Sequence, residues 1–281
     1  MSRFYLIFLI ALLTGIEVTA QTITNSPQKA LNTAFQKGSL MTALSGIEHR
    51  PGLNLAAAKL AVGQTISLNV TLLKDEDYVF LASGPTEQTD VDLYLRDATG
   101  TLITEDLQQD GTPIIEFTPS NSGTYQLQLH LAAGDVPESF VALSLLRQGG
   151  RQISEQEYQR TSNGFFAGTD ELTSPDNGAA WQQRPGTWCL FGYALRSKEG
   201  ISLGGVRSAS GRALFTAAGP KLSEIDLYLA DGAGEIAEKA ERPEAFPLLQ
   251  YYAPADAVLD LRVEVKSAKS HVLVLVGVLE M

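Results

Sequence analysis

From Leu53 onward the chain is a series of short apolar or alternating runs of strand length, separated by turn residues. That is the pattern of an antiparallel β-sandwich. Eight runs fall at 53–61, 64–72, 77–82, 90–96, 101–106, 112–117, 124–132 and 138–147. Eight more fall at 187–196, 200–206, 211–217, 223–230, 234–238, 246–252, 258–266 and 270–280. Tyr125 to Leu131 alternates strictly, which predicts one wet face, whereas Val272 to Leu279 hardly alternates and is predicted to be covered on both faces. Residues 22–49 carry scattered apolar positions (Leu31, Phe35, Leu40, Leu44) and read as a short helix or a lead-in loop. Gln148 to Ala180 is rich in Gly, Ser, Asn, Asp and Gln and reads as part linker, part lead-in to the second set of strands.

The two sets are copies of each other. Asp92-Leu93-Tyr94-Leu95 returns as Asp226-Leu227-Tyr228-Leu229, 134 positions later. Each copy follows a Gly-Pro pair and runs into an Asp-x-x-Gly turn, at Asp97 to Gly100 and at Asp231 to Gly234. Reading outward, Arg50-Pro51-Gly52 meets Arg184-Pro185-Gly186, Ile66-Ser67-Leu68 meets Ile201-Ser202-Leu203, and Phe80 meets Phe215. Downstream, Pro113-Ile114-Ile115 meets Pro247-Leu248-Leu249. The expected fold is therefore all-β, two tandem antiparallel β-sandwich domains at 21–150 and 151–281. Each is long enough to bury a core of its own. At the 134-residue offset Leu55 meets Cys189, so these two are predicted to be equivalent and buried.

Residues 1–20 read as a signal peptide: Arg3, the apolar run Phe4 to Leu13, then the small residues of Val18-Thr19-Ala20. The apolar run falls short of the about 20 residues that a membrane span needs. A periplasmic or secreted protein is expected, with no membrane insertion after cleavage. Net charge is −11 with no stripe of Lys and Arg, which argues against nucleic acid and anionic membranes as partners. Residues 21–150 hold 14 acidic and 7 basic side chains, net −7; residues 151–281 hold 17 and 13, net −4. Cys189 is the only cysteine, so no intramolecular disulfide forms, and it reads as a small core hydrophobe.

Candidate chemistry is sparse. His49, His130 and His271 occupy no matching positions in the two copies, and no metal-binding or nucleophile motif is present, so no catalytic residue and no cofactor is expected. Gly232-Ala233-Gly234-Glu235-Ile236-Ala237 matches a dinucleotide fingerprint, but its counterpart around Gly100 is a turn between strands, without the helix that would hold a pyrophosphate. Alternate residues share a face of a strand, which sets Asp90 beside Asp92 and Glu224 beside Asp226, opposite the apolar faces. Such pairs, with Asp97 or Asp231 nearby, are Ca²⁺-ligand candidates. The competing reading, that Asp92 accepts hydrogen bonds from a neighbouring loop under Tyr94, is the one expected, with neither pair binding metal. Tyr251, Tyr252, Trp181 and Trp188 read as aromatics that the second copy adds, either as a contact surface or as filling for a differently shaped core.

The stretch Thr89 to Gly100, followed by Ile115 to Leu129 with its Gly123-Thr124-Tyr125 strand start, resembles the bacterial pre-peptidase C-terminal domain. The resemblance covers about residues 53 to 147, and it implies a jelly-roll-like sandwich with an accessory, non-catalytic role. The second copy keeps Asp-Leu-Tyr-Leu but has Val258 and Leu259 where Gly-Thr-Tyr would stand, which weakens any shared ligand role of that corner. The expected function is a non-catalytic exported protein that binds a protein partner in an assembly, accessory or inhibitor role, with Tyr251 and Tyr252 at the contact. A carbohydrate-binding protein is the first alternative. A hydrolase with an unrecognised site is the second.

Overall fold

The computed structural model describes residues 26–281 apart from 110, 185, 209–210, 221–223, 242–245, 254, 256 and 269–270. The signal segment at 1–20 lies outside the described residues. All sixteen strands expected from the pattern form. The first repeat contains β1 (Glu48–His49), β2 (Gly52–Ala61), β3 (Thr65–Leu72), β4 (Tyr78–Ser83), β5 (Asp90–Arg96), β6 (Leu102–Asp106), β7 (Ile114–Phe117), β8 (Gly123–Ala133) and β9 (Glu138–Arg147). The second contains β10 (Ala180–Trp181), β11 (Leu190–Leu195), β12 (Gly200–Ser208), β13 (Gly211–Ala218), β14 (Glu224–Ala230), β15 (Ile236–Ala240), β16 (Leu248–Ala253), β17 (Ala257–Ser267) and β18 (Val272–Glu280). Only the two-residue strands β1 and β10 were not anticipated.

The strand order repeats. In the first repeat β2-β9-β4-β7 forms one sheet and β3-β8-β5-β6 the other. In the second, β11-β18-β13-β16 and β12-β17-β14-β15 take the same places. Counting β2 to β9 as the eight strands of a repeat, this is a jelly roll, a double-sheet arrangement in which successive strands fall in opposite sheets except for the β5–β6 hairpin. Alternation supplies the core: Val91, Leu93 and Leu95 of β5 are buried, as are Ile225, Leu227 and Leu229 of β14, while Asp92 and Tyr94 face outward.

The expectation of two separate cores is corrected. Strands β2 and β11 pair antiparallel, joining the two larger sheets into a single ten-stranded sheet that includes β1 and β10. The main apolar cluster accordingly runs unbroken from Leu93 and Leu143 of the first repeat to Leu227 and Val276 of the second. The four-stranded sheets stay apart. Apolar edges left open at β2 and β11 would cost both solvation and unpaired backbone groups, and pairing them removes both costs.

The register also corrects the predicted equivalence of Leu55 and Cys189. Phe80 lies opposite Leu145, and Phe215 opposite Val278, so Ser144 corresponds to Gly277. Leu55 pairs with Ser144 and Leu190 with Gly277, which makes Leu190 the counterpart of Leu55. An offset of 134 carried from the Asp-Leu-Tyr-Leu strand is one residue short here, because Thr187 is inserted after Gly186. Cys189 is nonetheless buried, with 0% exposure. Ala56 and Phe191 are then equivalent residues that face each other across the junction, and the flanking pairs Leu190–Ala57 and Gly192–Leu55 exchange under the same relation. The repeats meet as a two-fold dimer meets, inside one chain.

Two helices cover the outer face of the large sheet. Helix α1 (Pro27–Ser45) starts at Ser26, whose hydroxyl accepts from Lys29 N at 3.2 Å, and stops at Gly46, in the left-handed region at φ 72°. Helix α2 (Glu155–Leu172) starts at Ser154, whose hydroxyl accepts from Glu157 N at 3.1 Å. It buries Tyr158, Thr161, Ser162, Phe165, Phe166 and Thr169, one stripe at helical spacing. The part of 148–180 expected to be linker is therefore a packed element. The helices meet where Phe35 stacks on Tyr158 at 3.8 Å between ring centroids and the Tyr158 hydroxyl donates to Asn32 at 2.7 Å. Among the described residues no helix is long and apolar enough to cross a membrane.

Candidate functional site

Of the carboxylates flagged in the sequence, Asp92 and Asp226 lie on the outer faces of the two four-stranded sheets, and both are already engaged. Asp92 Oδ2 is 3.0 Å from His130 Nδ1 on β8 and accepts from the Tyr94 hydroxyl at 3.4 Å. The partner is thus a strand residue, where a loop was expected. Along the same face Arg96 Nε donates to Gln128 Oε1 at 2.8 Å, and Gln128 Nε2 donates to Ser67 at 3.2 Å. In the second repeat Asp226 Oδ2 accepts from the Tyr228 hydroxyl at 3.1 Å and pairs with Lys266 Nζ at 3.4 Å. Lys266 also pairs with Glu264 at 2.9 Å, and its ammonium pKa is raised, chiefly by that hydrogen bond. A lysine cation thus lies against the Asp226 carboxylate.

The other two carboxylates serve the turns. Asp97 Oδ1 accepts from Thr99 N and Thr101 N, each at 2.9 Å, and Asp231 Oδ1 accepts from Ala233 N and Glu235 N at 2.9 and 3.0 Å. Gly100 and Gly234 follow at φ 85° and 81°, in the region glycine tolerates. These are matching Asx-stabilised hairpin turns, which explains why the Asp-x-x-Gly signature recurs. The Gly232 fingerprint sits in one of them and leads into β15, with no helix to receive a phosphate. Asp90 and Glu224 start their strands, each at a register shift, and join no cluster: among the described residues no group of three or more His, Cys, Asp and Glu lies within reach of one ion.

Cys189 donates its thiol to Ala57 O at 3.4 Å, and burial pushes its pKa up to about 12, so it is held as an un-ionised core thiol. Trp181 and Trp188 are buried as well, which favours the core-filling reading for both. Trp188 corresponds to Leu53 by the corrected register. Tyr251 corresponds to Phe117, so it is no addition of the second copy, and both rings pack against the main core. Of the four aromatics only Tyr252 is exposed, at 70%.

Tyr252 lies on an unusual edge. Strands β7 and β16 are the two ends of the large sheet. At each, Pro113 O or Pro247 O accepts from the neighbouring strand (Ala82 N at 3.1 Å, Ala217 N at 3.2 Å). Ladder bonds alternate, so Ile114 in one repeat and Leu248, Gln250 and Tyr252 in the other turn their backbone groups away from the sheet. In the first repeat that edge is closed: the Asp106 carboxylate accepts from Ile114 N at 2.9 Å, Ile114 packs against the cluster of Val79, Leu81 and Leu146 that Met41 and Ile47 also cover, and Glu116 adds a charge. In the second repeat Ala240 stands at the place of Asp106 and Gln250 at the place of Glu116. Leu248 is 43% exposed. Among the described residues no strand pairs with the outer side of β16. Proteins normally blunt such edges with charge or cover. Here one repeat does and, among the described residues, the other does not.

No family model matches the chain, and no curated sequence matches it. Among solved structures it is similar to the Aeromonas hydrophila periplasmic lysozyme inhibitor PliG, at 12% identity over 35% of this chain and 88% of that one, with a TM-score of 0.28. It is similar to the PBSX exported protein XepA at 11% identity, covering 81% and 85% of the two chains, with a TM-score of 0.28. It is also similar to the tandem CBM22 domains of Paenibacillus barcinonensis Xyn10C at 9% identity, covering 83% and 92%, with a TM-score of 0.21. At these TM-scores none of the three bears on the function of this chain.

Proposed function

We propose that this chain is an exported, non-catalytic protein built of two pre-peptidase-type jelly rolls, and that it binds an extended segment of a protein partner along β16. The open edge of that strand carries the reading: Leu248, Gln250 and Tyr252 present backbone donors and acceptors, no charged side chain, and exposed apolar surface. An extended peptide adding to such an edge gains main-chain hydrogen bonds from the strand and specificity from alternate side chains. Tyr252 is the aromatic anchor at one end. Tyr251 turns inward and positions the strand, so the contact assigned to it from sequence passes to Leu248 and Tyr252. The export reading rests on the residues at 1–20.

The test is a photo-crosslinking side chain placed at Tyr252 in the full-length protein expressed in its source, with the equivalent site on the closed edge, Thr118, as control. The expected result is one protein crosslinked from position 252 and not from 118, and lost when Gln250→Pro removes an outward N–H without touching the β13 ladder. Equal crosslinking from both positions, or none from 252, would refute the reading.

A further inference from the structure

The open edge of β16 fits a second strand of its own sequence. Two identical edges meet antiparallel across a two-fold axis, and a residue on that axis meets itself. Leu248, Gln250 and Tyr252 turn their backbone groups outward, and Gln250 is the middle one. With the axis at Gln250, this residue faces Gln250 of the copy, and Leu248 of each chain faces Tyr252 of the other. Each such pair exchanges two backbone hydrogen bonds, so no outward group of the strand is left over. An axis at Leu249 or Tyr251 would instead leave Tyr252 or Leu248 opposite a residue outside the strand.

The side chains match in the same register. Leu249 and Tyr251 lie on the core-facing side and fall opposite each other, which carries the apolar core from one copy into the next. On the other side the exposed Leu248 meets the exposed Tyr252, an aliphatic–aromatic cross-strand pair. Gln250 is exposed between them, and its amide both donates and accepts.

The charge at the axis separates a copy from an unrelated strand. On the closed edge Glu116 stands at the place of Gln250, and β7 paired with itself there would set two carboxylates directly opposite each other. The second repeat has a neutral amide at this position and no charged residue anywhere in β16. A foreign segment could answer a carboxylate with a lysine; a strand that meets itself cannot. The chain already joins its own repeats in this way, through the equivalent strands β2 and β11.

We infer that the extended segment received at β16 is β16 of a second copy of this chain, paired antiparallel about Gln250. This rests on the open-edge reading above and names its partner. The assembly closes at two chains, because a dimer joined at β16 has β7 at both ends of its shared sheet.

The test is sedimentation equilibrium on the protein expressed in its source, at neutral pH and physiological salt. The parent is expected to form dimers with a Kd of about 100 μM or tighter. Gln250→Glu and Gln250→Lys each set a charge against itself and are expected to weaken self-association by about tenfold or more. Mixed in equal amounts, the two variants are expected to form a one-to-one dimer as tight as the parent's, because opposite charges then face each other. Gln250 is exposed and its backbone groups point away from β13, so both variants are expected to melt with the parent. The inference is overturned by a monomeric parent, by single variants that dimerise as the parent does, or by a mixture that stays monomeric. If the parent is monomeric while position 252 crosslinks a different protein, the second-copy assignment falls and the open-edge reading stands. If position 252 crosslinks nothing, both fall.

Discussion

His49 shows what one residue contributes that its neighbours in sequence do not announce. It is buried under α1, stacked on Phe35 at 5.2 Å between ring centroids, and neither ring nitrogen has a hydrogen-bond partner. Gly38 makes this possible, since a Cβ there would lie 2.7 Å from Ser144 Oγ and 3.5 Å from His49 Nε2. Burial first, and then the Arg151 charge, lowers the His49 pKa from 6.5 to about 4. Above pH 6.5 the imidazole is neutral in both folded and unfolded chains and adds no pH dependence. As pH falls from 6.5 towards 4 the unfolded chain takes up the proton first, so stability drops through that window. Urea denaturation at pH 7 and pH 5 is expected to differ by about 2 kcal/mol from this group alone. His49→Phe should remove most of that difference. An unchanged pH dependence in the variant would place the titrating group elsewhere.

At the scale of elements, the helices decide how the large sheet is covered. Phe165 of α2 contacts Phe166, Trp181 and Phe246, with centroid distances from 5.2 to 6.3 Å. A Cβ on Gly277 of β18 would lie 2.8 Å from its ring, so the strand has a glycine where the helix passes. Phe165→Ala is expected to cost about 3 to 5 kcal/mol by leaving a cavity in that layer. Leu44→Ser, on the exposed side of α1, is expected to change stability by less than about 0.5 kcal/mol. Equilibrium denaturation of the two variants checks both numbers. Helix α2 was legible in principle: Ser154 and Glu157 have the spacing of a capping box, and Tyr158, Phe165 and Phe166 share a face. The abundance of Gly, Ser, Asn and Gln around it outweighed three aromatics at the right period, and composition proved the poorer guide.

For the whole molecule the junction is the defining feature, and it carries its own asymmetry. Phe191 lies opposite Ala56 and Tyr193 opposite Leu53. At the centre of the junction a large side chain of one repeat, Phe191, meets a small one of the other, Ala56. Two copies of the second repeat would crowd their aromatics together at this junction, and two copies of the first would leave a void. Residues 26–150 and 151–281 expressed as separate chains are therefore expected to pair with each other in preference to themselves. Light scattering of each alone and of the mixture measures this. Stable, independent monomers from both halves would show that the β2–β11 pairing does not contribute to their folding.

The sequence by itself determined the strands, their order of burial and the duplication, because these depend on local periodicity and on turn residues that act within a few positions. Val91, Leu93 and Leu95 declare an inward face wherever the strand ends up, and Asp97 with Gly100 declares a turn. Only the tertiary structure decided which edges pair. Nothing in Ala56 or Phe191 names the other as its partner, since a strand edge offers the same backbone groups to any strand that reaches it. The same holds for the candidate site. The β16 edge is open because Ala240, on a different strand, replaces the carboxylate that caps its counterpart. That is a relation between two strands, and the chain hides it until the fold closes.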